Sequence, residues 1–160
     1  MKRCLLLSLV CMFLFAAGCS GQTVDGPPED GFYFVYHETE IYMHMACAPV
    51  IEALGDALSV YEAPSCAFQG NDFYYQYDSF ELSAYEKDGA AYVYSVYLLD
   101  DTVSTSEGLS IGDSEEKVLS LYGEDGLIAP GAYLFIKGNS KIKVIIKNSV
   151  VSSIEYIAVV

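Results

Sequence analysis

The chain has 160 residues, 52% hydrophobic and 19% charged, with 22 acidic against 8 basic side chains and a formal net charge of −14. That length suits one domain with a real core, and the charge argues against nucleic acid as a partner, since counterion release needs clustered Lys or Arg. The charge is uneven: Ser20 to Glu116 holds nineteen acids and one base, Lys87, whereas Lys117 to Val160 holds five lysines and three acids. An acidic surface of this kind keeps a protein soluble at an anionic envelope, and it can also steer a cationic partner or gather divalent ions.

Lys2 and Arg3 precede an apolar run, Leu5 to Ala17, which is too short to span a bilayer and suits the apolar region of a secretory signal. Ala16-Ala17-Gly18-Cys19 resembles the bacterial lipobox, with alanine where most lipoboxes carry leucine. The resemblance implies that residues 1–18 are a lipoprotein signal peptide and that Cys19, diacylated, becomes the new N-terminus; an ordinary cleaved signal with a chance cysteine is the alternative. Two acyl chains, at about 0.8 kcal/mol per buried methylene, suffice for stable anchoring. The expected location is the extracytoplasmic face of the cell membrane. Residues 19–31 are the lipidated cysteine and then SGQTVDGPPEDG, polar and broken by a Pro-Pro pair, which reads as a flexible tether. Residues 32–160 remain for the domain.

Of five cysteines, Cys47 and Cys66 are left once the signal and the lipid site are set aside. An even pair in an extracytoplasmic protein suits a disulfide. Cys47 falls at the start of an expected helix and Cys66 in the loop after it, so a bridge would tie that loop over the helix and contribute roughly 3 kcal/mol in the chain-entropy picture. Two separate buried thiols, behaving as small hydrophobes, are the other reading.

The mature chain resembles itself. Ile41 to Asp56 aligns without a gap on Leu109 to Glu124 at an offset of 68, Phe73 to Asp88 on Tyr133 to Asn148 at 60, and Ser95-Val96-Tyr97 on Ser153-Ile154-Glu155 at 58. The shrinking offset places length changes in loops, as two copies of one unit require. The expected units are about 32–101 and 102–160. Each reads as a short strand, a helix, a loop and an antiparallel meander. In the first copy Pro49 sits in the opening helical turn and Gly55 ends the helix. In the second, Asp113 and Glu116 suit a capping box, and Gly123 ends the helix. Alternation sets Phe73, Tyr75 and Tyr77 against Tyr74 and Gln76, then Leu82 with Ala84, then Tyr92, Tyr94 and Val96. Lys87-Asp88-Gly89 and Lys147-Asn148-Ser149 read as hairpin turns. The expected fold is α+β: one curved sheet, formed edge to edge by the two copies, with helices on one face.

A helix ending in "LG" or "YG", followed by a meander and duplicated in tandem, resembles the β-lactamase inhibitory protein-like fold, of which the SmpA/OmlA outer-membrane assembly lipoproteins carry a single related unit. Pro64 to Gly70, the stretch ending Tyr97-Leu98-Leu99-Asp100-Asp101, Thr105 to Gly108 and Ile111-Gly-Asp113 resemble uncharacterised lipoproteins of gut-dwelling Gram-positive bacteria. The resemblance spans residues 32–157 and implies a fold and a protein that acts by holding other proteins. It carries over no contact residue.

Catalytic patterns are thin. Gly108-Leu-Ser110-Ile-Gly112 matches the string G-x-S-x-G, but both histidines, His37 and His44, precede it, whereas the hydrolase order places the histidine last; it reads as a strand entering a helix cap. His37, Glu38, Glu40 and His44 are acceptable metal-ligand types, yet an odd spacing on an extended strand turns the two imidazoles to opposite faces. Asp100, Asp101, Asp113, Glu115 and Glu116 fit no EF-hand spacing, and Cys66 lacks an evident base. No cofactor and no metal are expected. Fourteen tyrosines against no tryptophan remain. An antiparallel sheet with helices on one face leaves the other open, and tyrosine suits an adhesive surface, although tyrosines filling the core are the competing reading. Tyr74, Gln76, Tyr85 and Tyr97 are the expected exposed set. The function expected is a non-enzymatic protein-binding module held by its lipid at the membrane, its partner another envelope or secreted protein. The alternative is a receptor for a small ligand or cation in a cleft between the units.

Overall fold

The computed structural model describes residues 31–160; the signal, Cys19 and nearly all of the tether lie outside the described residues. Strands β1 (Tyr33–Tyr36) and β2 (Thr39–Tyr42) form an antiparallel hairpin. Its two turn residues, His37 and Glu38, have φ of 45° and 68°, the left-handed conformation that a two-residue hairpin turn needs. Helix α1 (Cys47–Leu54) follows, with Pro49 in its first turn and Gly55 ending it at φ 77°. Four strands come next: β3 (Ser59–Pro64), β4 (Asn71–Gln76), β5 (Phe80–Lys87) and β6 (Ala90–Leu98). Helix α2 (Glu115–Tyr122) precedes β7 (Leu127–Ala129), β8 (Ala132–Lys137), β9 (Ser140–Lys147) and β10 (Val150–Ala158).

The eight later strands form one antiparallel sheet in the order β3-β4-β5-β6-β10-β9-β8-β7. A helix followed by four strands thus occurs twice along the chain, and the last strand of each set lies at the centre of the sheet. The fold is α+β. No helix among the described residues is long and apolar enough to cross a membrane.

One face of the sheet carries the core. Register aligns Tyr75, Leu82, Val96, Tyr156, Ile142 and Phe135 in a single row from β4 to β8. Leu82, Val96, Tyr156 and Ile142 are fully buried, and they share one hydrophobic cluster with Val50 of α1, Val118 of α2, and Phe34 and Ile41 of the hairpin. Both helices and the hairpin therefore cover the same face. The aromatic rings lock the hairpin down: Phe80 has Phe34, Tyr36 and Tyr77 at 5.1, 4.9 and 4.8 Å between centroids, geometry that adds to simple area burial.

Several expectations change in detail. The N-cap of α2 is Ser114, whose hydroxyl accepts from the Lys117 amide; Asp113 instead accepts from the Ser110 amide at 2.7 Å and from Lys117 Nζ at 2.8 Å. Leu109 to Ile111 makes only an isolated bridge, Ser110 to Ser104, rather than a strand. A bulge between Ser83 and Ala84 of the β5–β6 pairing brings Val93, not Tyr92 or Tyr94, opposite Ala84 on the core face, because one extra residue reverses the alternation. The hairpin turns at Asp88-Gly89 and Asn148-Ser149 are present, with φ of 53°, 78°, 54° and 65°.

Candidate functional site

The other face of the sheet has no covering layer among the described residues, apart from one loop at its corner. Its rows follow from the register. Gln76, Glu81, Tyr97, Glu155, Lys143 and Leu134 lie side by side from β4 to β8, and the next row runs Tyr61, Tyr74, Ser83, Ser95, Ile157, Lys141 and Ile136 from β3 to β8. The Ser83 and Ser95 hydroxyls bond across the strands at 2.7 Å, and the Tyr61 and Tyr74 rings lie 6.1 Å apart. Tyr61 and Ile136, toward the two edges, are 65% and 67% exposed.

All four residues expected to be exposed lie on this face, but only one of them is exposed. Tyr97 is exposed, and Tyr74 and Gln76 are half-buried. Tyr85 is not part of the exposed set. It points to this face but is buried, because the loop between β3 and β4 folds over it: Phe68 stacks on its ring at 4.5 Å and meets Tyr94 edge-on at 5.5 Å. The Tyr85 hydroxyl also bonds His44 Nδ1 at 3.0 Å, while His44 Nε2 reaches the Val159 carbonyl at 3.1 Å. A carbonyl only accepts, so Nε2 donates to it, and in the neutral tautomer this fixes, Nδ1 accepts from the tyrosine hydroxyl. Both histidines are thereby placed, His37 in the hairpin turn and His44 pinning the strap before α1 against β5 and the chain end.

Charge divides the face. Glu81 and Glu155 flank Tyr97, and Lys141 and Lys143 stand on the far side of Glu155. Burial pushes the Glu155 carboxyl above its ordinary value, the two lysines pull it back, and Glu81 adds to the rise. Burial likewise raises the Tyr74 hydroxyl, helped by Asp72 and Glu81. The sequence carries a signal for the lysines, since Lys141, Lys143 and Lys147 fall two and four residues apart in a strand; only the register shows that they adjoin the tyrosine zone.

The remaining candidates are placed apart. Cys47 and Cys66 are both free thiols: Cys47 is buried at the start of α1, where burial pushes it up to about 11, and Cys66 is exposed in the Phe68 loop. Ser110 lies in a turn between Gly108 and Gly112, both at positive φ, with its amide bound to Asp113. The largest cavity described, about 660 Å³, is not between the two halves; it lies against α1, lined by Cys47, Ala48, Ile51, Tyr75 and Ala91, with Glu52 at its rim. Comparison with known proteins finds no matching family model, no curated relative and no solved structure.

Proposed function

We propose that this chain is a lipid-anchored, extracytoplasmic and non-enzymatic protein-binding module of the cell envelope, built on a duplicated helix-plus-meander unit, and that it binds through the open face of its sheet. The observation that carries the reading is the uncovered row of Gln76, Glu81, Tyr97 and Glu155 at the middle of the sheet, with Tyr74 beside it. Large rings beside carboxylates offer contact area at small entropic cost and keep hydroxyls for polar pairing. Duplication is supported by the sequence self-alignment and by a strand order symmetric about β6 and β10. Anchoring rests on the lipobox resemblance at Cys19.

Cross-linking in native cells, purification of the lipidated protein and mass spectrometry of what accompanies it test the proposal. A stoichiometric protein lost on Tyr74→Ala and Tyr97→Ala, with the fold intact, supports it. Unchanged recovery from those variants defeats the face assignment, and Cys19→Ala protein that stays in the membrane fraction defeats the anchor. The cavity beside α1 favours a second reading, a receptor for a small apolar ligand, which would show as a ligand-induced rise in Tm without any protein partner.

A further inference from the structure

The open face has a property that a generic adhesive surface lacks: its two halves complement each other at three mirror positions. Sheet order and register set β6 against β10 at the centre, then β5 against β9, then β4 against β8. On the row through Tyr97, an acid on β5, Glu81, mirrors a lysine on β9, Lys143; Tyr97 on β6 mirrors Glu155 on β10; and Gln76 on β4 mirrors Leu134 on β8. On the next row Tyr74 mirrors Ile136 and Ser83 mirrors Lys141. Glu81 with Lys143 thus pairs acid with base, Tyr97 with Glu155 donor with acceptor, and Tyr74 with Ile136 ring with aliphatic side chain, whereas Gln76 with Leu134 and, on the second row, Ser95 with Ile157 set a polar group against an aliphatic one.

Resting on the binding-face reading above, we infer that a second copy of this chain is the partner, stacked sheet to sheet about a two-fold axis parallel to the strands between β6 and β10. That axis sets each row on itself in the other copy. Glu81 of each copy meets Lys143 of the other, the Tyr97 hydroxyl donates to the Glu155 carboxylate, and Tyr74 packs on Ile136, each contact occurring twice as an isologous interface requires. Two sheets pack in this way about 10 Å apart.

The area is modest. The six strands from β4 to β8, about 4.8 Å apart, share the four-residue length over which β6 pairs with β10, about 13 Å, and so present roughly 400 Å² per copy, the size of a weak contact that depends on local concentration. The Phe68 loop stands over Tyr85, at the margin of the shared rows. The chain as a whole carries a net charge of −14 and repels itself, so pairing of copies calls for a face that sets lysines beside acids, as this one does with Lys141 and Lys143 beside Glu155.

Sedimentation equilibrium of the full chain in a density-matched detergent tests the inference. The expected result is a dimer whose affinity falls about tenfold or more on Lys143→Glu and equally on Glu81→Lys, and is restored both by mixing the two variants and in the double variant. Circular dichroism of each variant checks that the fold persists. A chain that stays monomeric at its highest soluble concentration, or a dimer indifferent to both reversals, overturns self-pairing. The broader reading is judged separately: a cross-link from Tyr97 to a different protein keeps the binding face while overturning the second copy, and a Tyr97 face that cross-links to nothing overturns both.

Discussion

Cys47 and Cys66, one at the start of α1 and one in the loop past β3, differ in chemistry because their surroundings differ. A thiol pushed up to about 11 by burial is almost wholly protonated at neutral pH and is a poor nucleophile; an exposed one is open to reagent. Native protein treated with iodoacetamide should therefore lose the Cys66 thiol quickly and the Cys47 thiol only on unfolding, as peptide mass mapping would show. Protection of both until a reductant is added would instead establish the bridge. Asp113 offers a second test. The Lys117 ammonium and then the Ser110 amide hold its carboxyl below the ordinary carboxylate range. Its folded form thus takes up a proton less readily than the unfolded chain, so the stabilisation is complete above the unfolded value and fades as pH falls through the lower, folded one. With Lys117 largely in water, Asp113→Asn should cost about 0.5–1 kcal/mol near neutrality. Urea unfolding at neutral pH and near pH 3 should show that difference shrinking with acid; a constant difference would mean that the side chain acts through shape alone.

At the level of elements, the β1–β2 hairpin owes its place to a ring cluster rather than to backbone pairing with the main sheet. Phe80 lies at the centre, fully buried, with Phe34 and Tyr36 of the hairpin against it. Phe80→Ala should cost about 3–5 kcal/mol, and amide exchange should show the hairpin losing protection before β5 and β6 do; simultaneous loss would make hairpin and sheet one cooperative unit. The same elements show what a sequence can disclose. Both helices, their glycine stops, the meanders β4–β6 and β8–β10, and two hairpin turns were legible, because alternation and left-handed turn residues leave marks on the chain. Strands β3 and β7 were not. Val60, Tyr61, Leu127 and Ile128 are exposed, so neither edge strand carries the buried-against-exposed contrast on which alternation depends. The hairpin strand β1 lies in the unbroken apolar run Phe32 to Tyr36, which has no period to read. Alternation puts Tyr85 on the correct face but not in the correct environment, since it says nothing of a loop folding back over a sheet.

For the whole molecule, an eight-stranded sheet packed on one side raises the question of what the other side meets. The core face takes two helices and a hairpin. The open face keeps tyrosines beside acids and lysines beside aliphatic side chains, and at three positions its middle rows pair opposite characters about the centre of the strand order. The lipid anchor proposed at Cys19 would concentrate such a face near its neighbours, which favours contacts that would be weak in free solution. Tyr97→Ala and Tyr74→Ala should leave the core untouched, because neither ring belongs to the buried cluster, and thermal unfolding of the variants should stay close to that of the parent while binding is lost. The most direct measurement is photocross-linking in native membranes from a reactive group placed at Tyr97, compared with the same group at Glu52 on the exposed side of α1. A discrete protein adduct from position 97 and none from position 52 is the expected result. No adduct from 97, or the same adducts from both positions, would contradict an open-face binding module.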